Sequence, residues 1–158
     1  MNKKILLVII AIVAVGIIGI FTLNSIQEVK MQEIEIGGLN FILPADLVAG
    51  PRTTGDAEIH FVSQDGTLSF IINTMFDPNL DESSQKIYQK IMEKGTNKTI
   101  NGIEGIFFSP TSEDGAIYGF NYFYYKYHDR YILYCLQWGY EGDPIEFFSK
   151  VKINNSTN

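Results

Sequence analysis

The hydrophobic positions of this chain follow an unbroken run, then two-residue alternations interrupted by one helical period. The run comes first: nineteen residues, Ile5 to Leu23, carry no charge, and Thr22 is the one polar side chain among them. At a helical rise of about 1.5 Å per residue it would extend roughly 28 Å, near the ~30 Å hydrocarbon core of a bilayer. The run therefore predicts a transmembrane helix over 5–23, with 1–4 in the cytoplasm and 24–30 as a spacer. A cleaved secretory signal is the competing reading. The run exceeds the ~7–15 apolar residues of such a signal, and its one small-x-small triplet, Ala14-Val15-Gly16, lies well inside it. No Cys adjoins the run to accept a lipid, so a retained signal anchor is the expectation. Lys3 and Lys4 precede it, whereas Glu28, Glu33 and Glu35 outnumber Lys30 beyond it. That asymmetry holds the amino terminus in the cytoplasm and sends the rest of the chain outward. Gly16 and Gly19 have the small-x-x-small spacing that lets two membrane helices approach. Chance also produces that spacing, and homodimerisation through it is the lesser reading.

Beyond the spacer, residues 31–153 read as one extracytoplasmic domain and 154–158 as a disordered tail. MQEIEI (31–36) and LNFILP (39–44) are strand candidates split by Gly37-Gly38. The stretch 49–56, with its Gly, Pro and Thr, is a loop without periodicity. AEIHFV (57–62) and TLSFIINTMF (67–76) flank Ser63-Gln64-Asp65-Gly66, and Asp-Gly between apolar alternations marks a hairpin. Asp77-Pro78-Asn79 stops the second strand.

The helical period covers 81–94. Ser84, Ile87, Tyr88, Ile91 and Met92 share one face, opposite Gln85, Lys86, Gln89, Lys90 and Glu93. Asn79 or Asp81 can cap this helix, and Lys94-Gly95 ends it. Residues 98–100 and 103–109 then flank Asn101-Gly102, the dipeptide best suited to a type I′ turn. After a polar loop at 110–115 come the two longest strands, 116–127 and 131–140, joined at His128-Asp129-Arg130. Both are apolar or aromatic on both faces, as central strands covered on each side must be. Asp143-Pro144-Ile145-Glu146 opens a short last helix running through Phe147, Phe148 and Val151.

This order of elements resembles the Mog1/PsbP-like family. The resembling pieces are GLNFILPADL, the strand hairpin, the amphipathic helix, KTINGIEGIFF, the aromatic hairpin YGFNYFYYKYHDRYILYCLQW and the closing PIEFFSKV. They span roughly 36–153, almost the whole outer domain. The resemblance implies an α+β fold, an α/β/α sandwich around a central, mainly antiparallel sheet. It also implies a mostly non-enzymatic role in binding a protein partner or assembling a complex. No residue here matches a functional site of the family.

Charge narrows the partners. After Leu23 the chain carries eighteen acidic and ten basic residues, a net charge of −8. Such a field disfavours nucleic acid and anionic lipid headgroups. The single cysteine, Cys135, lies within YILYCLQW and reads as a core thiol, with no partner for an internal disulfide. His60 and His128 stand apart, without the three or four spaced ligands a zinc site needs. The acidic groups Asp77/Asp81/Glu82 and Glu141/Asp143 are accounted for by helix capping, and Glu113/Asp114 lacks any EF-hand spacing. No nucleophile elbow or phosphate-cradling loop occurs, so neither enzyme activity nor a cofactor nor a metal is expected. Asn97-Lys98-Thr99 and Asn155-Ser156-Thr157 are N-glycosylation sequons, placing Asn97 and Asn155 as possible acceptors.

The aromatic hairpin is the most suggestive element. Phe120, Tyr122 and Tyr124 share one face, and Phe123, Tyr125 and Tyr127 the other. One row is expected to be core and the other covered by a helix, with tyrosines at the rim forming a contact surface. The candidate contact residues are Tyr122, Tyr124, Tyr127, Tyr131, Trp138 and Tyr140. The leading expectation is a membrane-anchored, outward-facing, non-catalytic module that binds a protein or cell-envelope component. A small-molecule or glycan receptor using a groove between the aromatic rows and loop 49–56 is the alternative, and an envelope hydrolase a weaker third.

Overall fold

The structure, a computed structural model, describes residues 29–50, 57–112 and 119–154. The anchor and cytoplasmic segment expected at 5–23 and 1–4 lie outside these residues, as do most of the spacer, loop residues 51–56 and Asn155. Among the described residues no helix is long and apolar enough to cross a membrane, so the expected membrane-spanning helix has no counterpart there.

Strands β1 (Met31–Ile36) and β2 (Leu39–Pro44) pair antiparallel, from Ile36 opposite Leu39 to Met31 opposite Pro44. Their alternation is one-sided: Ile36, Phe41 and Leu43 are fully buried, while Glu33, Glu35 and Asn40 face solvent. After a three-residue strand β3 (Leu47–Ala49) come β4 (Glu58–Ser63) and β5 (Ser69–Asn73), joined by the Ser63–Leu68 turn. Asp65 shapes that turn. Its Oδ1 accepts from Ser63 Oγ (2.5 Å), Thr67 N (3.0 Å) and Thr67 Oγ1 (2.8 Å).

Helix α1 spans Glu82–Lys94. Asp81 is its N-cap, accepting from the Ser84 amide at 2.7 Å, and the Gly95 amide closes the last turn on the Ile91 carbonyl. Strands β6 (Thr96–Ile100) and β7 (Ile103–Phe108) meet at Asn101-Gly102. Both turn residues have positive φ (54° and 77°), which Asn tolerates and Gly adopts without strain. Strands β8 (Phe120–Tyr127) and β9 (Arg130–Gln137) follow, then helix α2 (Pro144–Ser149), capped by Asp143 with Pro144 in its first turn. The chain then forms a strand the sequence did not announce. In β10, Lys152–Ile153 pairs with Ile42 and Phe41 of β2, which draws the closing helix to an end before Val151.

These strands form two sheets. One has the order β1-β2-β10, the other β3-β4-β5-β9-β8-β7-β6, with every neighbouring pair antiparallel. This corrects the expected α/β/α sandwich. Among the described residues strand outweighs helix, 48% to 18%, and only one of the outer layers is purely helical. The physical reason lies in β1 and β2. Strands with one apolar face cannot sit inside a sheet covered on both sides, so they fold over it as a layer of their own. The six-residue α2 is too short to cover that face alone and works beside them.

The seven-stranded sheet accordingly has two cores. On one face Phe61, Phe70, Ile72, Phe123, Tyr125, Tyr134 and Leu136 meet Ile36, Phe41 and Leu43 of the small sheet and Phe147 and Phe148 of α2. On the other, Tyr122, Tyr124, Leu133, Cys135, Phe108 and Phe76 cluster with Ile91 of α1. Burying each such large side chain contributes about 1.5–3 kcal/mol, so both layers are firmly held to the sheet.

Candidate functional site

The register of β8 and β9 decides where each candidate aromatic points. Tyr124 lies opposite Leu133 and Lys126 opposite Tyr131, so Tyr122, Tyr124 and Tyr131 all face the α1 side. Tyr124 and Tyr131 form a diagonal cross-strand pair, their rings stacked at 5.4 Å and 15°. Tyr124 is buried, whereas Tyr131 above it remains 43% exposed. Tyr88 of α1 and Phe76, just past β5, each meet the Tyr124 ring edge-on, at 5.6 and 5.9 Å. Around these rings opens a cleft of about 430 Å³, walled by the 75–79 loop and the β8–β9 turn.

The electrostatics of this cleft are mixed. Asp77 and Asp129 stand on its walls, while Lys126 lies across from Tyr131 on the same face. Arg130 also lines it, but its Nη1 donates to the Gly37 carbonyl at 2.6 Å, which ties the guanidinium to the small sheet. Burial pushes the Tyr124 phenol well above its ordinary pKa, with the neighbouring Tyr88 and Tyr131 hydroxyls adding to the shift. Beside the cleft, Met75 is 64% and Leu80 75% exposed. A ring platform flanked by exposed, adaptable apolar side chains is suited to contact.

The other candidate residues lie elsewhere. Tyr122 is buried under α1, its ring stacked on Phe108 at 6.1 Å and 8°, so it presents no surface. Tyr127 is on the opposite face of the sheet, lining a small pocket of about 180 Å³ with Tyr125 and Tyr134. Trp138, 37% exposed, lies at the far end of β9, where its indole N–H donates to the Pro110 carbonyl at 3.2 Å. Tyr140 packs edge-on against Phe147 at 5.6 Å and lines a second, larger cleft of about 860 Å³. The six residues therefore divide among separate places, and the structure brings together only Tyr124 and Tyr131. Tyr88, Phe76, Met75 and Leu80 were not singled out from the sequence. Tyr88 did fall on the predicted apolar helix face, the one signal pointing to it.

Of the remaining singled-out residues, Cys135 is buried on the α1 side, and burial together with the nearby Glu58 carboxylate pushes its thiol pKa up. That disfavours the thiolate a nucleophile needs. His60 is exposed, its Nε2 3.1 Å from Ser69 Oγ, and His128 occupies the β8–β9 turn with φ at 54°. Asn97 is exposed on the edge strand β6, and Thr99 with it. Among the described residues no group of three or more His, Cys, Asp or Glu side chains is placed to hold a metal ion. No protein-family model matches the chain, and comparison with curated proteins and with solved structures likewise finds no match.

Proposed function

We propose that the domain is a non-catalytic binding module, acting by surface contact with a protein or cell-envelope component on the outer side of a membrane. The observation that carries this reading is the aromatic cleft: Tyr131 lies exposed on a buried Tyr124, with Met75 and Leu80 exposed beside it. Tyrosine stacked on a rigid base brings large contact area at little entropic cost, the usual character of an interface anchor. The outward address rests on the sequence, on the apolar run 5–23 and the lysines before it. The resemblance to the Mog1/PsbP-like family implies the same non-enzymatic character.

The test places a photocrosslinking amino acid at Met75 or at Leu80 of the full chain in cells, with Lys98 on the distant edge strand as the control position. A discrete adduct at the first two positions, absent at Lys98 and lost in the Tyr131→Ala background, supports the module. A central interface tyrosine is worth about 2 kcal/mol, so its removal weakens capture roughly 30-fold. Equal crosslinking at Lys98, or an adduct indifferent to Tyr131→Ala, overturns it. Binding on a glycan array that Tyr131→Ala abolishes moves the same rings to the sugar-receptor reading.

A further inference from the structure

On the face of the large sheet opposite the Tyr131 cleft lies the cavity of about 180 Å³. Its origin is geometric. Strands lie about 4.8 Å apart, so a layer of three is narrower than a sheet of seven. The small sheet stops at β10, while the large one runs on through β7 and β6, and the cavity lies along that seam. Ile103 of β7 and Val151, just before β10, border it, and the Asn101 Nδ2 ties the two sides together by donating to the Val151 carbonyl at 2.9 Å. The remaining walls include Phe123, Tyr125 and Tyr134, none more than 3% exposed. The hydroxyls of Tyr125 and Tyr134 bond to each other at 2.8 Å, and neither makes another hydrogen bond among the described residues. Burial pushes both phenols above their ordinary pKa, so both keep their protons. Two protons serve one bond. Tyr125 spends its own on Tyr134, and the Tyr134 proton is left as a buried donor in need of an acceptor.

We infer that this cavity binds a neutral single-ring aromatic carbonyl compound about the size of acetophenone, its ring among Phe123, Ile103 and Val151 and its carbonyl oxygen accepting from Tyr134. Size selects one ring: an apolar cavity of about 150 Å³ takes up benzene, so about 180 Å³ holds a ring and a short substituent. Aromatic and branched aliphatic walls favour a flat apolar body over a polar one. The unspent phenol proton selects an acceptor at one point of that body. A ring carboxylate is disfavoured, because Lys152, the cation bordering the cavity, is exposed to water and leaves a buried negative charge unpaired.

The test is a methyl-detected NMR titration of the full chain with acetophenone and with ethylbenzene, which has a similar outline but no oxygen. Both bind, acetophenone with a Kd below about 1 mM and with nuclear Overhauser contacts to the methyls of Ile103 and Val151. The double variant Tyr125→Phe/Tyr134→Phe keeps both rings and removes the donor. It weakens acetophenone about ten-fold, the scale of a buried carbonyl left unpaired, and does not weaken ethylbenzene. Circular dichroism checks that the variant is folded, and its retained ethylbenzene binding checks that the cavity persists. Absence of acetophenone binding at about 10 mM overturns the assignment, as do Overhauser contacts confined to other methyls. Equal weakening of both ligands by the double variant, or of neither, overturns it too. So does tighter binding of benzoate than of acetophenone.

Discussion

Inside the core between the two sheets, Tyr125 donates its hydroxyl to that of Tyr134 at 2.8 Å, both side chains being almost wholly buried. Burial pushes both phenols above their ordinary pKa, so the pair stays protonated and its hydrogen bond persists across the accessible pH range. Tyr134→Phe leaves Tyr125 without its acceptor, and Tyr125→Phe leaves Tyr134 without its donor. An unsatisfied buried hydroxyl costs about 1–3 kcal/mol, and we take about 1.5 kcal/mol for each single variant. Replacing both removes both polar groups while keeping the edge-on ring contacts of Tyr134 with Phe41 and Phe70. The double variant should therefore lose only about 1 kcal/mol, giving a coupling of about 2 kcal/mol. The measurement is denaturant unfolding of the four proteins, followed by circular dichroism and compared at constant m. A double variant that loses the sum of the singles, about 3 kcal/mol to within ~0.5, refutes the reasoning. It would mean that water from the adjoining 180 Å³ pocket satisfies whichever hydroxyl remains.

Phe148 is fully buried, with Phe70, Phe107, Phe123, Tyr134 and Phe147 around its ring, so Phe148→Ala should cost about 3–5 kcal/mol and Phe148→Leu under ~1.5. Chemical denaturation compares the two, and an Ala variant that loses less than about 1 kcal/mol would contradict the packing described here. Asp65 carries a pH signature, because hydrogen bonds from Ser63 and Thr67 lower its carboxyl from about 3.8 to about 2 on folding. A depressed folded pKa stabilises above the unfolded value. The stability gap between wild type and Asp65→Asn should therefore hold constant above pH ~4 and close between pH ~4 and ~2. A gap unchanged at pH ~2 would show that the turn does not depend on the carboxylate charge.

Much of the strand order was legible because local chemistry announces it. Asp65-Gly66 and Asn101-Gly102 can adopt turn dihedrals that other pairs resist, and the strands on either side follow. Helix α1 was legible from its spacing and its Asp81 cap. Strand β10 was not, since two residues carry no period; Lys152 and Ile153 become a strand only because β2 offers an open edge. The candidate site was half legible. An aromatic-rich strand shows that rings are present and which of them share a face, yet not which layer will cover that face. Tyr122 and Tyr124 went under α1. Tyr131, on the same face but next to the β8–β9 turn, stayed uncovered.

By itself, then, the sequence determined the apolar run 5–23, the acidic balance of the remainder, the turns and the alternation of the central strands. These are properties of neighbours along the chain, set by dihedral preference, charge and period. Tertiary structure alone decided that β1 and β2 would form a second sheet. It also decided that Tyr88 and Tyr131 would both meet Tyr124, and that Asp46, Asp65 and Glu141 would line one cleft. Those groupings join residues far apart in sequence. Packing two sheets and a helix around large aromatic side chains is what settles which of them come together.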